Sequence, residues 1–188
     1  VGNIAVSPDG TTVWAPNLFR VIRDDGRCIA TREWQDAYVA DATNDYLVWS
    51  SNAEHGRLVA LEGERVVFLD DSEVTSDITG LSSGDWDPKT LSAGEEYLLL
   101  CKWDGDERRY YYALVDFRAR KAVWEQSLYQ GEFQEPDAAA VASDGTAVIA
   151  QDCNLFLVEP DGTVRLSWFH SETGRRYNRL EIAADGSL

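Results

Sequence analysis

The side chains best suited to chemistry are few and scattered. His55 follows Glu54, and His170 sits between Trp168-Phe169 and Glu172. A histidine beside a carboxylate can serve as a general base or a metal ligand. Two isolated histidines on connecting segments read more simply as solvent-facing groups. Asp104-Gly105-Asp106-Glu107 and Asp70-Asp71 are the densest acid clusters. Oxygen-rich loops can hold calcium, but the Asp-x-Asp-x-Asp-Gly spacing of a calcium loop is absent. Asp85-Trp86-Asp87 is placed to flank a pocket. Tyr110, Tyr111 and Tyr112 follow Arg108-Arg109. Successive strand residues face opposite sides, so Tyr110 and Tyr112 share one face and Tyr111 takes the other. One such face offers a stacking surface for a sugar ring or a peptide; packing between sheets is the simpler use. The binding candidates are therefore Asp70, Asp71, Asp85, Trp86, Asp87, Asp104, Asp106 and Tyr111. No Ser-His-Asp arrangement, phosphate-cradling glycine loop or nucleophile elbow is visible. No catalytic, metal or cofactor residue is assigned.

Composition narrows the classes. The chain has 188 residues and is 44% apolar, enough for one folded domain with a sizeable core. It contains no apolar run of about 18 residues and no charged leader followed by an apolar stretch, so neither a membrane span nor a secretion signal is expected. Cys28, Cys101 and Cys153 are widely spaced, with no Cys-x-x-Cys. They read as small strand hydrophobes in a reducing, cytoplasmic-type setting. The net charge is −16, with 33 acids against 17 bases. Only Lys89, Lys102 and Lys121 are lysines; the other bases are arginines. An Asp-rich, Lys-poor surface suits a salt-loving organism, where monovalent cations screen the self-repulsion. A specific cationic partner is the other reading. Nucleic acid is excluded as a partner class, because its phosphates call for a basic patch.

The elements that must position these residues repeat along the chain. In 142–168 a Ser143-Asp144-Gly145 turn, two strands, a Pro160-Asp161-Gly162 turn and a third strand follow one another. Asp-Gly between β-rich runs is a strong hairpin signal. Ala138 to Ala142 adds a fourth strand. Asn3 to Trp34 repeats the pattern around Pro8-Asp9-Gly10 and Asp24-Asp25-Gly26. The first-hairpin turns at Gly10, Asp45, Glu95, Gly145 and Gly186 lie 35, 50, 50 and 41 residues apart. That scatter fits propeller blades and not helical repeats. The expectation is an all-β chain, a β-propeller of four-stranded antiparallel blades. The blades are read over 3–34, 36–69, 85–127 and 136–168, with the opening of a fifth at 179–188. Solid apolar runs such as VIA, LLLC and FLV fit sheets buried on both faces. Residues 70–84 are polar and turn-rich and are read as the longest connecting loop. Four units and the start of a fifth imply a piece of a larger propeller, or a ring that closes irregularly.

Two motifs resemble known families. Tyr112 to Trp124 (YALVDFRARKAVW) resembles the quinoprotein-like propeller repeat, in which Lys-x-x-Trp follows a turn often holding Thr-Gly. Here Arg118-Ala119-Arg120 replaces that turn. Ser7-Pro8-Asp9-Gly10 resembles the turn of WD-repeat-like and TolB-like propellers. The resemblance implies that Trp34, Trp124 and Trp168 dock between neighbouring blades. It implies no cofactor, since no metal-site or catalytic residues of quinone-dependent dehydrogenases match. The expected function is a non-enzymatic binding or scaffold module for a protein or peptide partner. The alternative is a propeller enzyme, a hydrolase, lyase or quinoprotein-type dehydrogenase, with carboxylates converging at a central pocket. On the salt reading, the melting temperature rises steeply between dilute buffer and molar potassium chloride; a flat response measured by circular dichroism removes that reading.

Overall fold

A computed structural model describes residues 4–15, 20–31, 37–51, 57–92, 94–128, 136–151 and 154–169, with Leu180 and Ile182. The chain divides into two compact units, one of residues 1–76 with 87–89, the other of residues 77–86 with 90–188. The architecture is all-β. Among the described residues, four antiparallel sheets of four strands each follow the chain in order, with one short helix.

The first unit holds two of these sheets. One is β1 (Ala5–Val6), β2 (Thr12–Ala15), β3 (Arg20–Arg23) and β4 (Cys28–Thr31). The other is β5 (Ala37–Ala42), β6 (Tyr46–Ser51), β7 (Arg57–Glu62) and β8 (Arg65–Leu69). Trp14 and Val21 from one sheet meet Leu47, Val59 and Leu61 from the other in a single buried cluster. The turns then clasp sheet to sheet. The Asp9 amide donates to Asn44 Oδ1 at 3.0 Å, the Arg23 guanidinium donates to the Gly63 carbonyl, and Arg27 pairs with Glu64 at 2.8 Å.

The second unit holds the last two residues of β9 (Asp87–Leu91) with β10 (Tyr97–Asp104), β11 (Arg109–Asp116) and β12 (Lys121–Gln126). The sheet of β13 (Pro136–Val141), β14 (Ala147–Gln151), β15 (Asn154–Val158) and β16 (Val164–Phe169) follows. Leu98, Leu99, Leu100 and Cys101 are all buried, and so are Ala147, Val148, Ile149 and Ala150. Burial of consecutive residues means burial of both faces, which is why these runs show no alternation.

The Asp-Gly turns work by one local mechanism. In each, an aspartate Oδ1 accepts the amide two residues on: Thr11 at 3.0 Å from Asp9, Arg27 at 2.9 Å from Asp25, Thr146 at 2.8 Å from Asp144 and Thr163 at 2.8 Å from Asp161. This bond favours the ionised carboxylate. The Ser7 hydroxyl and Thr11 amide hold Asp9 below the ordinary carboxylate pKa, and the Thr163 amide does the same for Asp161. The Arg118-Ala119-Arg120 turn reaches the same end differently. Asp116 Oδ1 accepts the Ala119 amide at 2.7 Å, and Arg120 itself takes the left-handed conformation, φ 53°. Its guanidinium is held by Asp77, with Nε 2.9 Å from Oδ1, and lies over the Phe117 ring.

Residues 70–84, read as a loop, hold a five-residue helix α1 (Asp71–Thr75). Glu73 reaches back to the Asp70 amide at 2.9 Å, half of a capping box. Val74 and Ile78 are buried, which the polar composition hides. Beyond α1 the chain lies along β12. The Thr79 amide donates to the Arg120 carbonyl and the Thr79 carbonyl accepts the Ala122 amide, both at 2.9 Å, closing a parallel bridge to Lys121. This covers part of an exposed strand edge.

Of the three closing tryptophans, Trp34 lies outside the described residues and the side chain of Trp168 is not described. Trp124 is buried against Val141, Ala147 and Phe156 of the following sheet. Gly162, φ +86°, sits on it so closely that a Cβ there would fall 3.1 Å from Trp124 Cβ. The neighbouring Gln126 donates to the Gly162 carbonyl at 2.8 Å. The Trp124 Nε1 has no hydrogen-bond partner among the described residues, so its contribution is contact area alone. Trp124→Ala is expected to cost about 3–5 kcal/mol. Trp124→Phe is expected to cost clearly less, because the lost N–H makes no bond. Urea unfolding of both variants measures this, and a Trp124→Ala variant as stable as the parent would show that the ring is no wedge.

Candidate functional site

One charged cluster among the described residues is largely withdrawn from solvent, and it stands at the β10–β11 end of the third sheet. Lys102 lies in the apolar run of β10 and is 9% exposed. Cross-strand pairing sets it opposite Tyr111 on β11. Its ammonium donates to the Ser82 hydroxyl, to the Ser83 carbonyl at 3.2 Å and to Glu125 Oε1 at 3.4 Å. It also lies 4.5 Å from the centroid of the Trp86 ring and 5.5 Å from that of Tyr111. A buried ammonium needs such company, because unpaired burial would cost several kcal/mol.

Glu125 is the anionic half. Its carboxylate accepts the Ser82 amide at 2.9 Å and the Ser82 hydroxyl. Burial pushes this carboxyl up. The Ser82 hydroxyl and amide, with Lys102, outweigh that and leave it below its ordinary 4.5. Trp86 closes the arrangement from beneath: it is 1% exposed, and its Nε1 donates to the Ser82 carbonyl at 2.9 Å. Gly84, φ +143°, lets the segment pass over the lysine stem, since a Cβ there would meet Lys102 Cδ at 3.1 Å. Lys102 and Glu125 thus pin residues 82–86 across the sheet.

Beside this cluster lies a shallow depression of about 270 Å³, lined by Ser83, Gly84, Lys102, Trp103, Asp104, Gly105 and Asp106. Trp103 is 37% exposed and stacks at a tilt on Tyr110, centroids 4.8 Å apart. Asp104 Oδ1 accepts the amides of Asp106 and Glu107, both at 2.9 Å, which shapes the hairpin loop.

The eight sequence candidates separate on this frame. Asp104 and Asp106 share the depression. Trp86 and Tyr111 flank Lys102, and Trp86 is buried. The Tyr111 hydroxyl donates to Glu107 at 2.7 Å, and that bond raises its pKa. Asp70 caps α1 and pairs with Arg57 at 3.4 Å, a structural role. Asp71 opens α1, and its side chain is not described. Asp85 is exposed, and Asp87 is half-buried at the start of β9. His55 and His170 lie outside the described residues. Sequence reasoning passed over Lys102, Glu125 and Ser82. The available signal was a lysine inside the apolar run YLLLCKW, where a charge must find partners.

Because the folded pKa of Glu125 is depressed, its contribution to stability is complete above pH 4.5 and is lost as the pH falls through the lower folded value. Glu125→Gln is therefore expected to flatten the acid side of the stability profile below about pH 4.5 relative to the parent chain. Parallel profiles from chemical unfolding at pH 3 to 6 would remove the carboxylate from this role.

Neither a protein-family model nor a curated protein sequence matches the chain. Solved structures do. The β-propeller domain of Cps50 (Swd1) from Myceliophteria thermophila matches with a TM-score of 0.55 at 12% identity, over 89% of this chain and 59% of that one. The Dos1 propeller matches with a TM-score of 0.58 at 12% identity, over 98% of this chain and 50% of that one. A chain of the hydrazine synthase of Kuenenia stuttgartiensis matches with a TM-score of 0.55 at 10% identity, over 92% and 55%. The chain thus spans between half and three fifths of the length of these structures. At such identities the likeness shows the fold, and that fold is the β-propeller.

Proposed function

We propose that this chain is a non-enzymatic β-propeller module that binds a protein partner. The observation that supports it most directly is the use of the charged groups. The Lys102–Glu125 pair, the most enclosed acid–base couple among the described residues, has its hydrogen bonds directed into Ser82 and Ser83 and fastens a segment of the fold. The β10–β11 hairpin end beside it offers an exposed ring and carboxylates on a rigid sheet, a surface suited to recognition. The acid-rich composition supports a salt-rich setting, and the widely spaced cysteines a reducing, cytoplasmic one, as part of the same reading. The fold is also that of a chain in an enzyme, the hydrazine synthase. A propeller enzyme of the kind set out above would need its carboxylates gathered at one pocket. Of the sequence candidates, two aspartates, Asp104 and Asp106, line the depression.

The test is affinity capture with the intact chain as bait from a lysate in molar potassium chloride, followed by gel filtration. Co-elution of a discrete protein with the bait at fixed stoichiometry is the expected result. Retention of nothing beyond the empty resin, at every salt concentration tried, would end the proposal.

A further inference from the structure

We infer that the first sheet docks face to face on the same sheet of a second copy of this chain, about a two-fold axis that sets Arg20 of each copy beside Asp24 of the other. The inference goes beyond the binding-module reading and does not rest on it. Residues opposed across antiparallel strands share a face. Ala5, Trp14 and Val21 are opposed in turn and pack toward the second sheet. Val6, Val13 and Ile22 are opposed in the same way, one to a strand, on the other face. Ile4 precedes Val6 by two residues, the period of a strand face. Ile4 is 68% exposed and Val6 53%, so this face is open. The other sheets differ. Leu58 to Leu61, Leu98 to Cys101 and Ala147 to Ala150 are buried in succession, hence on both faces. The remaining large apolar side chains exposed among the described residues, Trp103, Val123 and Val164, stand one to a strand.

Charge complementarity names the occupant. Along β3 and into the turn after it, Arg20, Ile22 and Asp24 follow at the same two-residue spacing: a cation, an apolar residue and a carboxylate. Arg20 and Asp24 are exposed, and neither makes a hydrogen bond or ion pair among the described residues. Such a row complements itself when reversed. A two-fold axis lying between the facing copies and running across the strands puts cation beside carboxylate at both ends, with the apolar row on its mate between them. A purely acidic or purely basic segment would match only one of the two charges. The four-stranded face spans roughly 20 Å across the strands and about 10 Å along them, well under the ~800 Å² per partner of a stable complex. The dimer is therefore weak and reversible, forming in the micromolar-to-millimolar range.

Sedimentation equilibrium of the full chain at constant salt, up to about 1 mM, is the test. The weight-average mass is expected to rise with concentration from 21.0 kDa toward twice that value. Val6→Ser, Arg20→Glu and Asp24→Arg should each weaken dimerisation about tenfold. Val164→Ser, at an exposed apolar position of the second unit, should leave it unchanged. Asp24→Arg lowers the net negative charge, so its loss cannot come from general repulsion. An equimolar mixture of Arg20→Glu and Asp24→Arg should dimerise again, because the reversed charge of each then meets its opposite on the other. Thermal melting confirms that each variant folds; the two charge reversals sit at exposed positions. A chain that keeps the monomer mass at the highest concentration overturns the inference. So does dimerisation indifferent to these variants, or a mixture no tighter than its components. A dimer with no foreign protein captured would sustain the inference and end the binding-module reading. A captured partner with a bait that stays monomeric would do the reverse.

Discussion

A sheet buried on both faces leaves only its edges and its turns to meet water. That constraint shapes this molecule throughout. Leu98 to Cys101 and Ala147 to Ala150 give up every side chain to packing, so polar function is pushed to the strand ends. The turns there are fixed by short-range chemistry: an aspartate carboxylate accepting an amide two residues on, repeated at Asp9, Asp25, Asp144 and Asp161. These four aspartates are thereby turn-forming groups first, whatever their surface charge does in solution.

Lys102 is the departure from this rule. It places a charge within a strand that is otherwise apolar, and the fold answers by bringing a distant segment to it. Ser82 links the pair, its hydroxyl accepting from the ammonium while donating to Glu125. The same segment lays Thr79 along β12 and Trp86 beneath the lysine. One buried charge thus organises an edge, a crossing and part of a core. The neighbouring residue, Trp103, is 37% exposed, so a one-residue step along β10 separates internal bracing from the molecular surface.

The strands and hairpins were legible because their signals are local. Asp-Gly turns, β-branched runs and the Lys-x-x-Trp at Lys121–Trp124 each specify a conformation within a few residues. The short helix was not, because Val74 and Ile78 are isolated apolar residues in a polar stretch whose burial depends on packing from elsewhere in the fold. The site was half legible. Asp104, Asp106 and Tyr111 stood out by type. Ser82 and Glu125 did not, since nothing near either names a partner 43 residues away. Trp86 stood out as an aromatic between two aspartates, and its ring lies buried beside the Lys102 ammonium.

The Thr79–Lys121 bridge has a consequence for the order of events during synthesis. Thr79 leaves the ribosome well before the strand it lies against, 41 positions ahead of the Arg120 carbonyl that anchors it. Until β12 has emerged, neither the bridge nor the Ser82–Glu125 contact has a second half. The β10–β11 hairpin can therefore pair first, while the contacts of residues 79–82 wait for the last strand of the sheet. Such late, non-local closure is slow relative to hairpin formation and leaves Ile78 and Trp86 waiting in water meanwhile. Nascent-chain quality control would meet this blade with those apolar side chains still uncovered.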